Sequence, residues 1–304
     1  MMELMNPGPQ RYERIDLHTH STWSDGALAP AELVALAATR QVQLLALTDH
    51  DTVAGCPEAA AACAAHQIDF VPGCELTALW RDREIHIVGL GLDTTSAALE
   101  AHLGGVQAQR RERIAAIGVK LTKCGLEGAQ LSGLVLARAG TPTRAHLAQL
   151  LVARGHATDV DDAFKRWLAR GQRAAVSAHW PALEATVAVI VAAGGIPVLA
   201  HPHRYRTSAG ALRELCAQFR AAGGKALEVS LAGMGPGDAS QAASLARRNS
   251  LAGSSGSDFH LPGLPWRPLG RLAKLPEGVV SVTEQLGQGP RSQASPAWPA
   301  PQAS

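Results

Sequence analysis

Several residue classes are scarce in this chain of 304 residues, and each scarcity limits what the protein can be. Aromatic residues make up only 4% of it, so its core must be built from smaller side chains, which favours helix-rich packing with much alanine. The five cysteines include no CxxC pair, which favours a reduced, cytoplasmic setting over a disulfide framework. The net charge of +2 is too small to indicate nucleic-acid or membrane binding by itself.

Long hydrophobic runs are also absent. The longest candidate, residues 182–199, is interrupted by Glu184, Gly194 and Pro197, and a membrane span needs about 20 apolar residues. Residues 1–9 contain no basic segment followed by an apolar one, so we expect no signal peptide. We therefore expect no membrane association, and no obligate protein partner is evident. The 46% hydrophobic content is enough for a substantial core.

Short apolar segments alternate with helices rich in alanine and leucine. The predicted strands lie at 14–18, 44–48, 68–73, 84–90, 196–200, 226–230 and 251–254. Repeated strand–helix units predict an α/β fold with parallel strands, in a barrel or a doubly wound sheet. The third and fourth strands are too close for a helix between them, so the polar turn at 81–83 predicts a hairpin-like connection.

This alternation breaks between residues 93 and 180, where helices are predicted at 96–124, 143–154 and 159–170. We interpret this region as an all-helical insert between barrel segments 12–92 and 181–284. The alternative is a set of ordinary barrel helices with a missed strand at 126–139. Residues 285–304 are rich in proline, serine and glutamine, which is typical of a disordered tail.

Titratable residues recur at or near these strands. His18 and His20 flank one residue at the end of the first strand, so their side chains point the same way. That pair alone fits two packed or surface histidines better than a metal site. The full set is His18, His20, Asp25, His50, Glu75, His86, His201, Asp258 and His260. Residues at the ends of parallel barrel strands converge on one face.

Each member of this set has an ordinary explanation by itself. His86 fits a core histidine and Asp258 fits a helix N-cap. Together those explanations are strained, because unpaired polar groups gathered at one end of a core are costly. The set is too large for a single zinc ion and suits a cluster of two or three metals with a bridging carboxylate.

Five short motifs carry a resemblance to a known family. They are Asp-Leu-His-Thr-His-Ser at 16–21, Thr-Asp-His at 48–50, Gly-Cys-Glu at 73–75, Ala-His-Pro at 200–202 and Gly-Ser-Asp-Phe-His at 256–260. With His86, they resemble the PHP (polymerase and histidinol phosphatase) family of metal phosphoesterases over residues 14–272. The insert, with its arginines at 110–113 and the segment 141–146, is similar to the subgroup of 3′,5′-nucleoside bisphosphate phosphatases and RNA-trimming exonucleases.

The resemblance implies a distorted seven-stranded (β/α) barrel that binds three divalent metal ions. Its implied ligand sets are His18, His20, Glu75 and Asp258; Glu75, His86 and His201; and Asp25, His50 and His260. Manganese is our first expectation, with iron, zinc or magnesium as alternatives, although six imidazoles disfavour magnesium alone. In the expected chemistry, a hydroxide held by the cluster, with Asp25, His50 and Glu75 beside it, attacks phosphorus.

Four arginines bear on the substrate. Arg110 and Arg113 lie one helical turn apart, Arg144 is near a predicted helix start, and Arg204 follows the fifth strand. Arginine forks suit bidentate phosphate contacts, although a solvated helix face is the alternative. A second-phosphate site here would favour a substrate with two phosphates. His203 is a candidate acid for the leaving group only because it is close to the strand-five motif, and a solvated surface role is the alternative.

The most favoured function is removal of the 3′-phosphate from a 3′,5′-nucleoside bisphosphate, which leaves AMP from the adenosine compound. The alternative is 5′-to-3′ exonuclease activity on short RNA or DNA ends. The two activities do not exclude each other, so one protein could have both. The near-neutral charge disfavours long nucleic-acid tracks. Histidinol-phosphate phosphatase fits the insert less well. A regulatory metal-binding module without catalysis has no need of so complete a ligand set.

Overall fold

The computed structural model of the chain describes residues 12–205, 207–263 and 267–286. Within these residues the strands are β1 Ile15–Asp16, β2 Leu44–Leu47, β3 Asp69–Trp80, β4 Arg83–Leu90, β5 Ile196–Leu199, β6 Ala226–Leu231 and β7 Ala252–Gly256. The α-helices are α1 Pro30–Thr39, α2 Cys56–Ala65, α3 Ala97–Lys123, α4 Gly128–Leu136, α5 Arg144–Ala153, α6 Val160–Ala163, α7 Leu183–Ala192, α8 Ala209–Ala221, α9 Pro236–Arg248 and α10 Thr283–Leu286. A π-helical turn, Phe164–Leu168, follows α6, and a 3₁₀ turn, Pro202–Arg204, follows β5.

The seven strands form one sheet in chain order. Strands β1 to β3 pair in parallel, as do β5 to β7, whereas β4 is antiparallel to both β3 and β5. The Leu17 N–H donates to the Ser255 carbonyl at 3.0 Å, which links the end of β1 to β7 and nearly closes the sheet. The predicted α/β fold with a seven-stranded barrel is therefore confirmed, and the doubly wound alternative is wrong.

Strand β3 is longer than the sequence predicted, whereas β4 lies almost where it was predicted. β3 does not end near residue 73 but continues to Trp80, because its second half pairs with β4 from Leu76 opposite Ile87 to Trp80 opposite Arg83. The predicted hairpin is confirmed, and Arg81 at its turn has a φ of +56°. As a result, Glu75 lies within a strand rather than beyond its end.

Local signals place the helices of the barrel. Proline is the first residue of α1, and the Glu32 side chain accepts a hydrogen bond from the Ala29 N–H at 2.9 Å, as expected for a capped first turn. Gly194 and Gly223 follow α7 and α8 with φ of +72° and +110°, which only glycine adopts without strain. These glycines end the two helices just before strands β5 and β6.

Residues 91–181 form helices and loops with no strand. The segment 126–139 contains helix α4, so the alternative of a missed strand there is wrong. The helices of this region have an apolar core of their own, which includes Ile117, Leu121, Leu131 and Leu147. We call residues 93–180 the insert from here on. None of the helices in the described residues is long and apolar enough to cross a membrane.

The tail predicted for 285–304 falls almost wholly outside the described residues. Its first two residues, Gln285 and Leu286, are exceptions because they end helix α10.

Helices α3 and α4 cross at a contact that only glycine permits. A Cβ added to Gly118 would lie 2.1 Å from Ser132 Oγ, whereas one added to Gly105, in the same helix, would meet nothing within 4 Å. We expect Gly118→Ala to lower the free energy of unfolding by about 1–3 kcal/mol through overpacking. Gly105→Ala should raise it by about 0.5–1 kcal/mol, because glycine is costly in a helix interior. Urea unfolding of both variants checks this, and equal effects would contradict the close contact.

Candidate metal centre

His18 and His20 lie directly after β1, and both are fully buried. Their Nε2 atoms are 3.1 Å apart, so the two rings point to one place, as the alternation of strand side chains predicts. Thr19, between them, turns the other way and donates its hydroxyl to the Ala46 carbonyl at 2.6 Å. Strand geometry alone therefore produces the first pair of candidate ligands.

Glu75 occupies the centre of the cluster. It is fully buried, and its Oε2 atom lies 3.2 Å from His18 Nε2 and 3.3 Å from His20 Nε2. The same oxygen is 3.1 Å from His50 Nδ1, because an isolated β-bridge places residue 50 beside residue 75. One carboxylate oxygen thus faces three imidazoles.

The second oxygen of Glu75 faces two further imidazoles. Its Oε1 atom is 2.8 Å from His86 Nδ1 and 2.9 Å from His201 Nε2. His201 has a φ of +29°, a strained conformation for a residue with a side chain, and such strain is retained where the surrounding structure fixes the residue. A carboxylate with imidazoles on both oxygens is placed to bridge two cations.

Asp25 forms a separate edge of the cluster. Its Oδ1 atom lies 3.3 Å from His260 Nε2 and 3.7 Å from His50 Nε2. The loop that carries it is tight, since a Cβ on Gly26 would lie 2.3 Å from the His20 carbonyl oxygen. Glycine at position 26 therefore allows the chain to turn Asp25 back toward the histidines.

Asp258 closes the cluster after β7. Its Oδ1 atom is 3.4 Å from His18 Nε2 and 3.2 Å from His20 Nε2. Its Oδ2 atom accepts a hydrogen bond from Arg204 and lies 3.4 Å from Nη1 of Arg267, which the sequence analysis did not predict. Asp258 thus presents one oxygen to the cluster and the other to two guanidinium groups.

The carboxylates of the cluster are held as anions. Burial would raise the pKa of Glu75, Asp25 and Asp258, but the neighbouring imidazoles outweigh it and hold all three well below the usual range. Burial lowers the pKa of His50 to about 3. For His86, Glu75 outweighs burial and raises the pKa to about 10. The buried negative charge therefore attracts positive charge to this place.

The donor set fits divalent metal ions. Asp25 Oδ1, His50 Nδ1 and Glu75 Oε2 are buried and have no hydrogen-bond partner among the described residues. Such atoms are costly unless something binds them. Ligand atoms within 4.8 Å of one another form three groups: His18, His20, Glu75 and Asp258; His20, Asp25, His50 and His260; and His50, Glu75 and His86. Nitrogen and oxygen donors in these numbers suit Mn, Fe or Zn.

These groups agree in large part with the ligand sets that the resemblance implied. The first group has the same members. The second adds His20 to the implied residues, and the third contains His50 where the implied set has His201. His201 still belongs to the cluster through its contact with Glu75. All the residues predicted as ligands thus converge on one site.

Glu228 is a residue of the site that the sequence analysis missed. Its Oε1 atom lies 2.7 Å from His18 Nδ1, and its Oε2 atom accepts the His201 N–H at 2.5 Å. A proton on His18 Nδ1 leaves Nε2 with a free lone pair toward the cluster, which is the form that binds metals. The missed signal is a carboxylate inside a strand that is otherwise mostly apolar.

Buried aspartates that were also missed support the loops of the cluster. Asp16 accepts the Ser257 N–H at 2.8 Å, just before Asp258, and burial raises the pKa of Asp16 to about 6. Asp49 accepts the Ser21 hydroxyl at 2.6 Å, which anchors the loop of Asp25.

Two of the predicted arginines meet beside the cluster. Arg113 Nη1 and Arg144 Nη2 each lie 2.9 Å from the carboxylate of Glu84 in β4. Glu84 Oε1 is 3.8 Å from His86 Nε2, so this arginine pair adjoins the candidate ligands. The helical insert therefore delivers positive charge to the edge of the site.

Arg110 is less available to contact a phosphate than the other arginines, and His203 is poorly suited to protonate a leaving group. Arg110 is buried and donates through Nε to Asp51 at 2.7 Å and through Nη2 to the Thr77 hydroxyl at 2.7 Å. His203 Nδ1 is buried without a hydrogen-bond partner among the described residues, and burial lowers its pKa. A lowered pKa makes the neutral form of His203 dominant at pH 7, which is unfavourable for a general acid.

Comparisons with known proteins agree with this geometry. The chain is 41% identical over 280 residues to the 5′-3′ exoribonuclease Rnm of Salmonella typhimurium, covering 91% of this chain and 95% of that protein. It is 41% identical over 275 residues to a 3′,5′-nucleoside bisphosphate phosphatase of Chromobacterium violaceum, covering 90% and 96%.

A solved structure is also similar. It is described as an amidohydrolase from Chromobacterium violaceum with bound sulfate and no metal, and it matches with a TM-score of 0.85 and 39% identity over 90% of this chain and 96% of that one. The PHP domain matches residues 16–230, which contain most of the candidate ligands. On this match and these relatives, the chain belongs to the PHP domain family.

Proposed function

We propose that this protein is a metal-dependent phosphoesterase that removes the 3′-phosphate from 3′,5′-nucleoside bisphosphates. The observation that carries the proposal is the position of Arg113 and Arg144, which share Glu84 next to the candidate ligand His86. A substrate with two phosphates would place one at the cluster and the other at this arginine pair. The similar bisphosphate phosphatase supports this substrate class.

The proposal includes three divalent metal ions, with manganese first and iron, zinc or magnesium as alternatives. His18, His20, Glu75 and Asp258 would hold one ion, and Asp25, His50 and His260 another. Glu75 would bridge to the third with His86 and His201. When bound, such ions acidify water and offset the charge of a phosphate. The protein supplies orientation, since Glu228 keeps the His18 proton on Nδ1.

The arginines differ in their availability for a phosphate. The side chain of Arg144 is 26% exposed, whereas that of Arg110 is 9% exposed and already paired with Asp51. We therefore assign the phosphate contact to Arg144 first and Arg113 second. Arg204 faces the cluster through Asp258 and would approach the phosphate that reacts. Arg110 would serve mainly to hold the insert against the barrel.

A second candidate activity is 5′-to-3′ exonuclease action on short RNA or DNA ends at the same cluster. Its support is the 41% identity to the Salmonella exoribonuclease over nearly the whole of both chains. In this case the arginine pair would bind the 5′-phosphate.

The five cysteines are all free in the structure, which supports a reducing, cytoplasmic location.

A turnover panel tests the substrate class. With Mn²⁺ present, we expect phosphate release from 3′-phosphoadenosine 5′-phosphate and none from AMP, since AMP lacks the 3′-ester. Nucleotide release from a 5′-phosphorylated oligonucleotide, followed by chromatography, would establish the second activity. Histidinol phosphate should not be turned over appreciably. Hydrolysis of histidinol phosphate alone would contradict the proposal. So would a lack of hydrolysis of every substrate by protein that has been shown to bind metal.

Arg144→Ala tests the second-phosphate contact. We expect its KM for the nucleoside bisphosphate to rise about 10- to 100-fold, because a charge-assisted contact contributes about 1.5–3 kcal/mol. The KM for a small aryl phosphate should hardly change. Arg166→Ala is a matched control, because Arg166 belongs to the same insert but pairs at the surface with Asp162. If both substrates were affected equally, the arginine would not recognise a second phosphate.

Glu75→Gln tests the bridging carboxylate. Removing the charge should weaken the binding of two metal ions together. We therefore expect the metal content, measured by mass spectrometry, to fall by two ions per chain. Glu127→Gln is a surface control that should leave the content unchanged, since Glu127 pairs only with surface groups such as His156. A loss of one metal ion would show that Glu75 serves a single site.

A further inference from the structure

The loop 21–26, which carries Asp25, is held from two sides. On the barrel side, the Ser21 N–H and the Ser24 hydroxyl both donate to Asp49, at 2.7 and 2.6 Å. On the other side, the insert contacts the same loop through its own backbone. The Thr141 N–H donates to the Trp23 carbonyl at 2.8 Å. We call loop 21–26 the Asp25 loop.

Gly140 makes this second contact possible. Its φ is +83°, and a Cβ at this position would lie 2.3 Å from the Trp23 carbonyl oxygen. Any side chain would therefore push the insert away from the Asp25 loop. Gly140 directly precedes the segment 141–146, which carries part of the family resemblance and the candidate phosphate residue Arg144.

His146 lies in the same segment, and one of its two ring nitrogens has a hydrogen-bond partner. It is only 4% exposed, and its Nδ1 accepts the Thr143 N–H at 3.2 Å at the start of α5. An acceptor nitrogen carries no proton, so the proton of the neutral ring is on Nε2. Burial lowers the pKa of His146, while nearby Asp25 and the Ser24 backbone oppose the change. The ring is therefore a neutral donor beside the Asp25 loop.

The Nε2 atom of His146 is the unexplained group. It is buried and has no hydrogen-bond partner among the described residues. A buried N–H without an acceptor is costly. The Ser24 backbone of the Asp25 loop lies close enough to influence the pKa of His146, and it is the acceptor that we assign to Nε2.

The insert also holds the neighbour of another ligand. Gln107 Nε2 donates to the Asp51 carbonyl at 2.9 Å and to the Thr141 hydroxyl at 2.5 Å. Arg110 pairs with the Asp51 carboxylate at 2.6 Å. Asp51 follows His50 directly and has a φ of +48°, so these contacts fix the turn that aims His50.

The other side of the cluster does not depend on the insert in this way. His18 and the backbone of His201 are held by Glu228 of β6, and Asp258 is preceded by Ser257, whose N–H donates to Asp16. All of these supports belong to the barrel. His18, His201 and Asp258 are thus supported by the barrel, whereas Asp25 and His50 are supported jointly with the insert.

We propose that the insert completes the metal site of Asp25, His50 and His260, and that His146 is a positioning residue which holds the Asp25 loop through its Nε2–H. The inference rests on the proposed function only in requiring that the cluster binds metal. It adds that one metal site forms only when the insert is seated on the barrel, whereas the others form without that contact.

Two substitutions of His146 separate this role from helix capping. In His146→Asn, the amide oxygen can replace Nδ1 as the acceptor for Thr143, but the donor at the Nε2 position is lost. In His146→Gln, the longer side chain returns an N–H near the Nε2 position. His156→Asn is a matched control, because His156 belongs to the same insert and pairs with Glu127 at the surface. Far-UV circular dichroism and thermal unfolding establish that each variant is folded.

The readout is Mn²⁺ binding to the metal-stripped full chain, measured by equilibrium dialysis with the free ion followed by electron paramagnetic resonance. We expect His146→Asn to bind one equivalent with about 10- to 100-fold lower affinity, the usual loss for a residue that orients a ligand, while the other equivalents keep theirs. His146→Gln should recover most of the loss, and His156→Asn should match the unmodified protein.

Several results would overturn the inference. Unchanged binding in His146→Asn would show that the insert does not position the Asp25 loop. Equal weakening of every equivalent would indicate a general loss of stability. Recovery by asparagine but not glutamine would assign His146 to capping. Absence of any Mn²⁺ binding by the unmodified protein would instead contradict the proposed function, and the inference would fall with it.

Discussion

The structure depends on burying the Glu75 carboxylate among histidines. A lone buried carboxylate would be protonated or expelled, because desolvation of a charge costs far more than a domain can offset. Here five imidazoles lie within 3.3 Å of its two oxygens and keep it ionised. They lie after the ends of β1, β2 and β5 and within β4, so the closure of the barrel in the observed register brings these rings together. Closing the barrel therefore also assembles the candidate site, because it surrounds the buried carboxylate with the imidazoles that keep it ionised.

Much of the fold and nearly all of the candidate ligands were predictable from the sequence. The apolar strands, the glycines at helix ends and the histidines near strand ends are local signals, and each can be recognised in a short stretch of sequence. The length of β3 was not predictable in this way, because residues 76–80 form a strand only by pairing with β4. The hairpin itself was predicted, but its consequence, that Glu75 and His86 reach the site from inside strands, depends on the completed sheet.

The supporting residues were harder to predict than the ligands. Glu228 acts on His18 across 210 positions of sequence, and no local pattern connects the two. The arginines were located by their spacing, yet their carboxylate partners were not, since Glu84, Asp51 and Asp258 lie in β4, after β2 and after β7 respectively. Arg110 shows the difference most plainly: its spacing suggested a phosphate ligand, whereas its burial against Asp51 and Thr77 makes it part of the joint between insert and barrel.

Glu84 has a consequence for the pace of the reaction. It already occupies Arg113 and Arg144 at 2.9 Å, so the phosphate site proposed at these arginines would contain an internal competitor. An incoming phosphate must share the guanidinium groups with this carboxylate or displace it, and both weaken its hold. A product that keeps its second phosphate would then leave more readily than it would from an open arginine fork. At the proposed phosphate site, the same carboxylate that orders the insert would thus limit how long the product stays bound.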